Sequence, residues 1–323
     1  MSSTILDATV LETCVAAAVA APSLYNSQPW RFRLDPETVT FHVRAAPARG
    51  LRFADPDARA LHVSVGACVL NLRVAMAHFG WTADTRLLPS PGDPGLLATV
   101  RPTEARTGDL QPADDELYAA VWRRRSSRLP FSGGPQPPLR AELMTAAAAE
   151  GASLLFPDTA QTARLLALTT LGERRNRADP DRARESRRWV REDPYDLSDT
   201  GLPLAALGPQ DSREQLPLRD FTAQRHPERL PARLFEPAPV IALLATEHDR
   251  RTDWLRAGQA LERVLLLATA RGLRMSLLSQ ALEWPDLRQS LSPAPFHAQM
   301  LVRLGYGPQG PATPRRTARV AID

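Results

Sequence analysis

The chain has 323 residues and a formal charge of +4, and all 40 of its basic residues are arginine. That length accommodates one large domain or two lobes, with ample apolar residues for a core. No basic leader with an apolar run and cleavage site opens the chain, and no 18-residue apolar run occurs, so the expectation is a cytoplasmic protein with no membrane span. Its positive charge suits anionic small ligands as well as nucleic acid, but no reading motif or aromatic platform supports the latter, so no nucleic-acid partner is expected.

Taken in order, Val10–Ala20 is apolar enough for a buried helix, and Pro22 and Pro29 bracket the turn after it. Between them lie four polar side chains, Ser23, Asn26, Ser27 and Gln28, able to aim hydrogen bonds at a planar polar ligand or simply to cap a loop. Trp30–Leu34 and Val39–Val43 alternate around Asp35-Pro36-Glu37-Thr38 and predict a hairpin. Asp57–Phe79 predicts a long helix, with Val65, Val69, Leu72 and Met76 on one face and Gly80 as its stop. Strands follow at Thr82–Leu87 and Leu96–Arg101, then a linker candidate at Thr103–Pro112. Cys14 and Cys68 both fall in apolar helical contexts and read as core residues.

The second part opens on a helix at Asp114–Arg125, then a helix at Leu139–Glu150 and a short strand at Ala152–Phe156. Thr159–Val190 is mostly helical. Acids interrupt the arginines of its Arg174–Arg191 run, which reads as a solvated face. Residues Arg191–Pro239 are rich in Pro, Asp and Gly; so long an aperiodic stretch reads as a lid, a binding loop or disorder, with Trp189 and Tyr195 as candidate covers. Pro239–Ala245 predicts a central strand, Asp253–Arg271 an apolar helix ended by Gly272, and Met275–Leu278 and Gln299–Leu304 two further strands. One echo runs through the chain. Gly66 and Gly80 bracket an apolar helix followed by a strand, and Gly258 and Gly272 bracket another at the same separation, which points to a duplicated unit.

Walker A, His-Glu-x-x-His, Cys-x-x-Cys and Gly-x-Ser-x-Gly signatures are absent, and the six histidines show no metal-ligand spacing. Gly305-Tyr-Gly-Pro-Gln-Gly310 matches a dinucleotide fingerprint in letters only. It contains Pro308 and leaves no room for the helix and strand that should follow, so it reads as a turn. Arg124, Arg125, Ser126 and Arg128 gather cations and a hydroxyl where a helix meets a loop, suitable donors for a phosphate dianion, and Arg315 and Arg316 offer a second pair.

The stretch Ala-Pro-Ser-Leu-Tyr-Asn-Ser-Gln-Pro-Trp over 21–30, together with Arg-Arg-Ser at 124–126 and Thr-Pro-Arg-Arg at 313–316, resembles the nitroreductase family of flavin enzymes, in particular its two-lobed Acg-like branch. The resemblance covers nearly the whole chain. It implies an α+β, nitroreductase-like fold with two related lobes fused as an internal pseudo-dimer, each a mainly antiparallel sheet flanked by helices. The expected division is 1–112 and 113–323, with a lid-like insertion at about 191–239. The resemblance also implies an FMN site. Arg124, Arg125, Ser126, Arg128, Arg315 and Arg316 would hold the phosphate, Pro22, Ser23 and Asn26 would touch the flavin, and Ser279 and Gln280 would supply backbone donors near it. Glu283 looks typical of the branch. Each half keeps one side of a site that ordinarily spans two subunits, so one complete FMN site per chain is expected.

Two functions follow from that resemblance. One is an FMN-dependent oxidoreductase taking electrons from NADPH or NADH and passing them to a small organic acceptor; no catalytic acid, base or nucleophile is indicated. The other is a protein that shields or stores FMN beneath a lid. The expected partner is a small-molecule substrate; an internal pseudo-dimer is compatible with a monomer and leaves further dimerisation open.

Overall fold

The structure, a computed structural model, describes residues 6–106, 112–193, 195–221 and 231–322. Half of the linker candidate, residues 107–111, and parts of the 191–239 segment, residues 194 and 222–230, lie outside the described residues.

The first lobe is built from α1 (Ala8–Val19), the hairpin β1 (Trp30–Asp35) and β2 (Thr40–Ala45), α2 (Arg59–His78), β3 (Trp81–Leu87) and β4 (Leu96–Glu104). Helices α3 (Pro112–Arg123), α4 (Pro137–Ala148), α5 (Thr159–Ala178) and α6 (Pro180–Arg188) follow, with β5 (Ser153–Leu155) between α4 and α5. A region of two-residue strands comes next: β6 (Val190–Arg191), β7 (Leu202–Pro203), β8 (Gln210–Asp211) and β9 (Ala232–Arg233). The chain ends with β10 (Val240–Thr246), α7 (Arg251–Ala270), β11 (Arg274–Leu278), α8 (Pro285–Leu291), β12 (His297–Gly305) and α9 (Ala318–Ala321).

Two four-stranded antiparallel sheets result, in the orders β1-β2-β4-β3 and β11-β12-β10-β5. Read from the other edge, the second order is β5-β10-β12-β11. The strand after the long helix is then an edge strand in both sheets, paired with the strand that follows it. The fold is therefore α+β, with two related lobes in one chain.

Helices α2 and α7 cross at their glycines. A Cβ on Gly66 would stand 2.1 Å from the Leu255 carbonyl oxygen, and one on Gly258 would stand 2.0 Å from the Val63 carbonyl oxygen. No real side chain tolerates such distances to backbone, so only glycine lets the two axes approach this closely. Gly80 and Gly272, which end the two helices, both take positive φ, +86° and +79°. The two cores interlock across this crossing. Val63 of α2 packs in the second core, and Leu255 of α7 packs in the first. Leu117, Ala120 and Val121 of α3, and Ala318 and Ala321 of α9, also belong to the first core, although they follow the expected division at 112.

By length and hydropathy α2 is apolar enough to cross a membrane, but most of it is buried inside the protein. Cys14 and Cys68 are buried and unpaired, and burial pushes the Cys14 thiol up to about 12. The run 174–191 departs from the expected solvated face. Arg182 is nearly buried, stacks 4.1 Å over the Trp284 ring, and faces Glu283 at 3.5 Å. Glu185, also buried, accepts the backbone N–H groups of Phe53 and Ala54. Alternating charge thus conceals two buried anchors: Glu185 ties α6 to the first lobe, and Arg182 ties it to the Glu283–Trp284 segment of the second. Helix α8 was not foreseen; Pro285 at its first turn starts it.

Candidate functional site

A cavity of about 700 Å³ opens between the lobes. Its walls come from the end of α1, the 22–26 turn, the N-terminal half of α2, the loop after α3, the end of β11 and the C-terminal tail. Pro22, Ser23, Asn26, Arg124, Arg125, Ser126, Arg128, Ser279, Arg315 and Arg316 all line it. Gln280 does not. Its side chain turns away and donates to the Pro217 carbonyl at 3.0 Å, so only the chain segment it sits on is near the cavity.

The 22–28 turn is strained. Tyr25, Asn26 and Gln28 take φ of 55°, 55° and 50°, a left-handed region costing on the order of 1–3 kcal/mol for residues other than glycine. Polar contacts hold it there. Asn26 Nδ2 donates to the carbonyls of Gly201 and Pro314, both at 2.9 Å, and its Oδ1 accepts from Arg315 Nη1 at 2.8 Å. Gln28 Nε2 donates to the Asp199 carbonyl, and its Oε1 accepts the Arg316 N–H at 3.0 Å. Asn26 and Gln28 thus bolt the turn to the tail and to residues 199–201, rather than presenting free amides to the cavity. Ser23 Oγ accepts the Gln28 N–H at 2.9 Å and closes the turn on itself.

The loop after α3 is fixed by close backbone approach. The Ser127 N–H donates to Met275 of β11 at 2.7 Å, and a Cβ on Gly310 would stand 2.0 Å from the Ser126 carbonyl oxygen. The glycines of the 305–310 motif therefore let the tail lie against residues 126–133, as a strap and not as a nucleotide loop. This brings Arg315 to the same end of the cavity as Arg124 and Arg125.

That end is electrostatically unbalanced. Arg125 has no hydrogen-bond or ion-pair partner among the described residues, and the buried Nε atoms of Arg124 and Arg315 have no hydrogen bond. Burial, with Arg124 and Arg125 nearby, pushes the Arg315 guanidinium down. Arg316 turns its Nη1 to the Trp30 carbonyl at 3.2 Å. Arg128 stands apart from this group: it donates to Ala206, lies 4.7 Å over the Phe221 ring, and is pushed down by burial and by Arg219.

Residues not singled out from sequence complete the walls. Arg59, at the start of α2, is buried and donates to the Gln299 carbonyl at 2.8 Å. Leu202, Ala206, Arg219 and Phe221 come from the 191–239 segment. Tyr195 is 87% exposed and Trp189 packs beneath the segment with Tyr25 and Leu51, so neither expected cover reaches the cavity. Arg219 donates to Tyr25 Oη at 2.7 Å and pairs with Glu283, which also accepts from Ser279 Oγ at 2.9 Å. Burial raises the Glu283 carboxyl, while Arg219 pulls it down. In a chain with so many arginines, sequence gave no signal for Arg59 or Arg219. The Pro/Asp/Gly composition of the segment was the signal for the wall as a whole.

The fold and the cavity define a two-lobed α+β protein with an arginine-lined cleft between its lobes. No family model matches the chain. Over 98% of its length it is 34% identical to the Mycobacterium tuberculosis protein named "Putative NAD(P)H nitroreductase Rv3131", covering 92% of that protein. It is 31% identical to "Putative NAD(P)H nitroreductase acg" of the same organism, over 98% of this chain and 96% of the relative. A crystal structure from Anabaena variabilis, described as a "putative nitroreductase", superposes with a TM-score of 0.50 at 13% identity, covering 93% of this chain and 88% of the other. The chain belongs to the nitroreductase family, in its Acg-like branch.

Proposed function

We propose that the chain binds one FMN in this cavity and acts as an oxidoreductase, with NADPH or NADH as electron donor and a small organic molecule as acceptor. The observation that carries the reading is the convergence of Arg124, Arg125, Ser126 and Arg315 at one end of a cavity whose wall includes Ser279. Guanidinium groups and a hydroxyl form the donor set that a phosphate dianion needs, and the unpartnered Arg125 and Arg315 Nε fit it. Bound there, the flavin would supply the redox chemistry.

The chain's own residues hold and shield. Arg124, Arg125, Ser126 and Arg315 hold the phosphate, and Arg316 fixes the tail that carries Arg315. Apolar groups on the cavity wall, Leu277, Leu282, Met300 and Val63, exclude water from the ring. Arg128, with no carboxylate within ion-pair distance among the described residues, places positive charge on the cavity wall and favours an anionic ligand state. Pro22, Ser23 and Asn26 shape the wall from the first lobe, Asn26 through its bonds to the tail. We assign the lobes as 1–112 and 113–323, exchanging α3 and α9 across their boundary, an arrangement that makes a monomer sufficient for one site.

A second reading, a protein that sequesters FMN, draws on the wall formed by Leu202, Ala206, Arg219 and Phe221. Their segment would act as a lid. Mixing the FMN-loaded protein anaerobically with NADPH separates the two: bleaching of the flavin band within seconds supports the oxidoreductase, and a band unchanged over an hour supports sequestration. A protein that neither carries nor takes up FMN would contradict both.

A further inference from the structure

Glu262 lies on α7 four residues after Gly258 and is fully buried. Its Oε1 is 3.3 Å from Arg124 Nε, yet neither carboxylate oxygen has a hydrogen bond among the described residues. The groups facing it are Arg124 from the loop after α3, Arg315 from the tail, and Asn71 and Cys68 from α2. Arg125 stands next to Arg315. Two of these, Arg124 and Arg315, line the anion end of the cavity. Burial lifts the carboxyl to about 7, and Arg124 limits the rise.

The duplicated helix offers a comparison. Four residues after Gly66, at the same step of α2, stands Leu70, which is also fully buried. The helix crossing thus accepts a leucine where α7 carries a carboxylate, so packing does not require Glu262. The carboxylate occurs on the helix that runs beneath the arginines.

We propose that Glu262 is a positioning residue that shares Arg124 with the ligand phosphate, so that binding of the phosphate dianion is accompanied by uptake of one proton on Glu262. This rests on the FMN reading above. Without ligand, the carboxylate is the counter-ion of Arg124. When a dianion takes Arg124 and Arg315, the two anions oppose each other across one buried guanidinium, and the carboxylate is neutralised by a proton from solvent. No bond is broken and no electron moves; the bound state gains two negative charges and one proton.

A group that takes up a proton on binding weakens that binding as pH rises above its ligand-free pKa, by up to about tenfold per pH unit. The phosphate is already dianionic above its second ionisation near pH 6, and Arg315, although lowered to about 9, is still mostly protonated, so pH 7.5–8.5 reports chiefly on Glu262.

The test is a titration of the flavin-free full chain with FMN and with riboflavin, which lacks the phosphate, followed by flavin fluorescence across that window. Calorimetry at pH 8 in two buffers of different ionisation enthalpy counts the protons. The FMN Kd is expected to rise by about five- to tenfold from pH 7.5 to 8.5, and the riboflavin Kd to stay flat. Glu262→Gln should abolish the FMN slope, bind FMN more tightly than the wild type at pH 8.5, and take up no proton. A flat wild-type FMN profile, or an unchanged slope in Glu262→Gln, overturns the proposal. Should Glu262→Gln fail to fold, the wild-type slope and its proton count decide alone. If no flavin binds at any pH, the FMN reading falls. Inorganic phosphate titrated over the same series then decides the linkage by the same slope.

Discussion

The two lobes share a strand order and a helix crossing, yet equivalent positions along the two crossing helices differ in charge. Gly66 and Gly258 meet as counterparts, and their would-be Cβ atoms strike backbone at 2.1 and 2.0 Å. Four residues further on, the counterparts are Leu70 and Glu262. The crossing is thus set by a steric demand that both halves obey. The site is set by an electrostatic one, which the loop after α3 and the tail place at a single location. Duplication supplied the frame, and asymmetric substitution within it supplied the cavity.

The largest expected effects test the shared part. Gly66→Val and Gly258→Val should each abolish the folded state or cost well above the 1–3 kcal/mol typical of overpacking, because the obstructing atoms are backbone oxygens. Urea unfolding of the two variants should show similar losses. A tolerated substitution at either glycine would break the equivalence of the two helices. Gly92→Ala, with nothing within 4 Å of the added carbon, is the matched control and should be near neutral.

Next comes the asymmetric part. Arg124→Ala should cost about 3–5 kcal/mol, since it leaves Glu262 buried without its counter-ion. The companion variant Leu70→Ala should lose about 2–5 kcal/mol by leaving a cavity, and should leave phosphate-ligand affinity unchanged. Thermal and urea unfolding measure both losses, and ligand titration separates them. If Arg124→Ala bound FMN as well as the wild type, the assignment of the phosphate end would fail.

A smaller effect concerns acid stability in the second lobe. Arg288 and Trp254, through hydrogen bonds to the carboxylate, hold the Asp249 carboxyl down to about 2 despite partial burial. A depressed carboxyl contributes stability above its unfolded pKa of about 3.9 and loses it as pH falls toward the folded value. Acid unfolding of the wild type should therefore steepen between pH 4 and pH 2, and Asp249→Asn should flatten that step. The smallest effect is expected at the surface of the first lobe. Arg44 and Asp93 make two hydrogen bonds, at 2.8 and 2.9 Å, but both are partly exposed, so Asp93→Ala should barely shift the urea midpoint, and less still at high salt.

The hairpin, α2, α7 and the central strands were readable from periodicity, and the glycine echo gave the duplication. Each of those signals is local and repeats along the chain. The ends of the site were readable only through a resemblance, because Arg124 and Arg315 are two arginines among 40. Arg59 and Arg219 had no such motif and were missed. Arg182 and Glu185 were misjudged because alternating charge reports composition, not which side chains of α6 the rest of the fold buries. Asn26 and Gln28 were recognised as important, but the tail and residues 199–201 that take their hydrogen bonds lie more than 170 positions away in sequence. No local rule finds such partners.

The proposed function requires one phosphate-ended cofactor in one cavity of a doubled chain. Its most direct measurement is the flavin released from acid-denatured, FMN-reconstituted protein, counted against chains. One FMN per chain is the predicted result. Two per chain, or none after reconstitution, would contradict it.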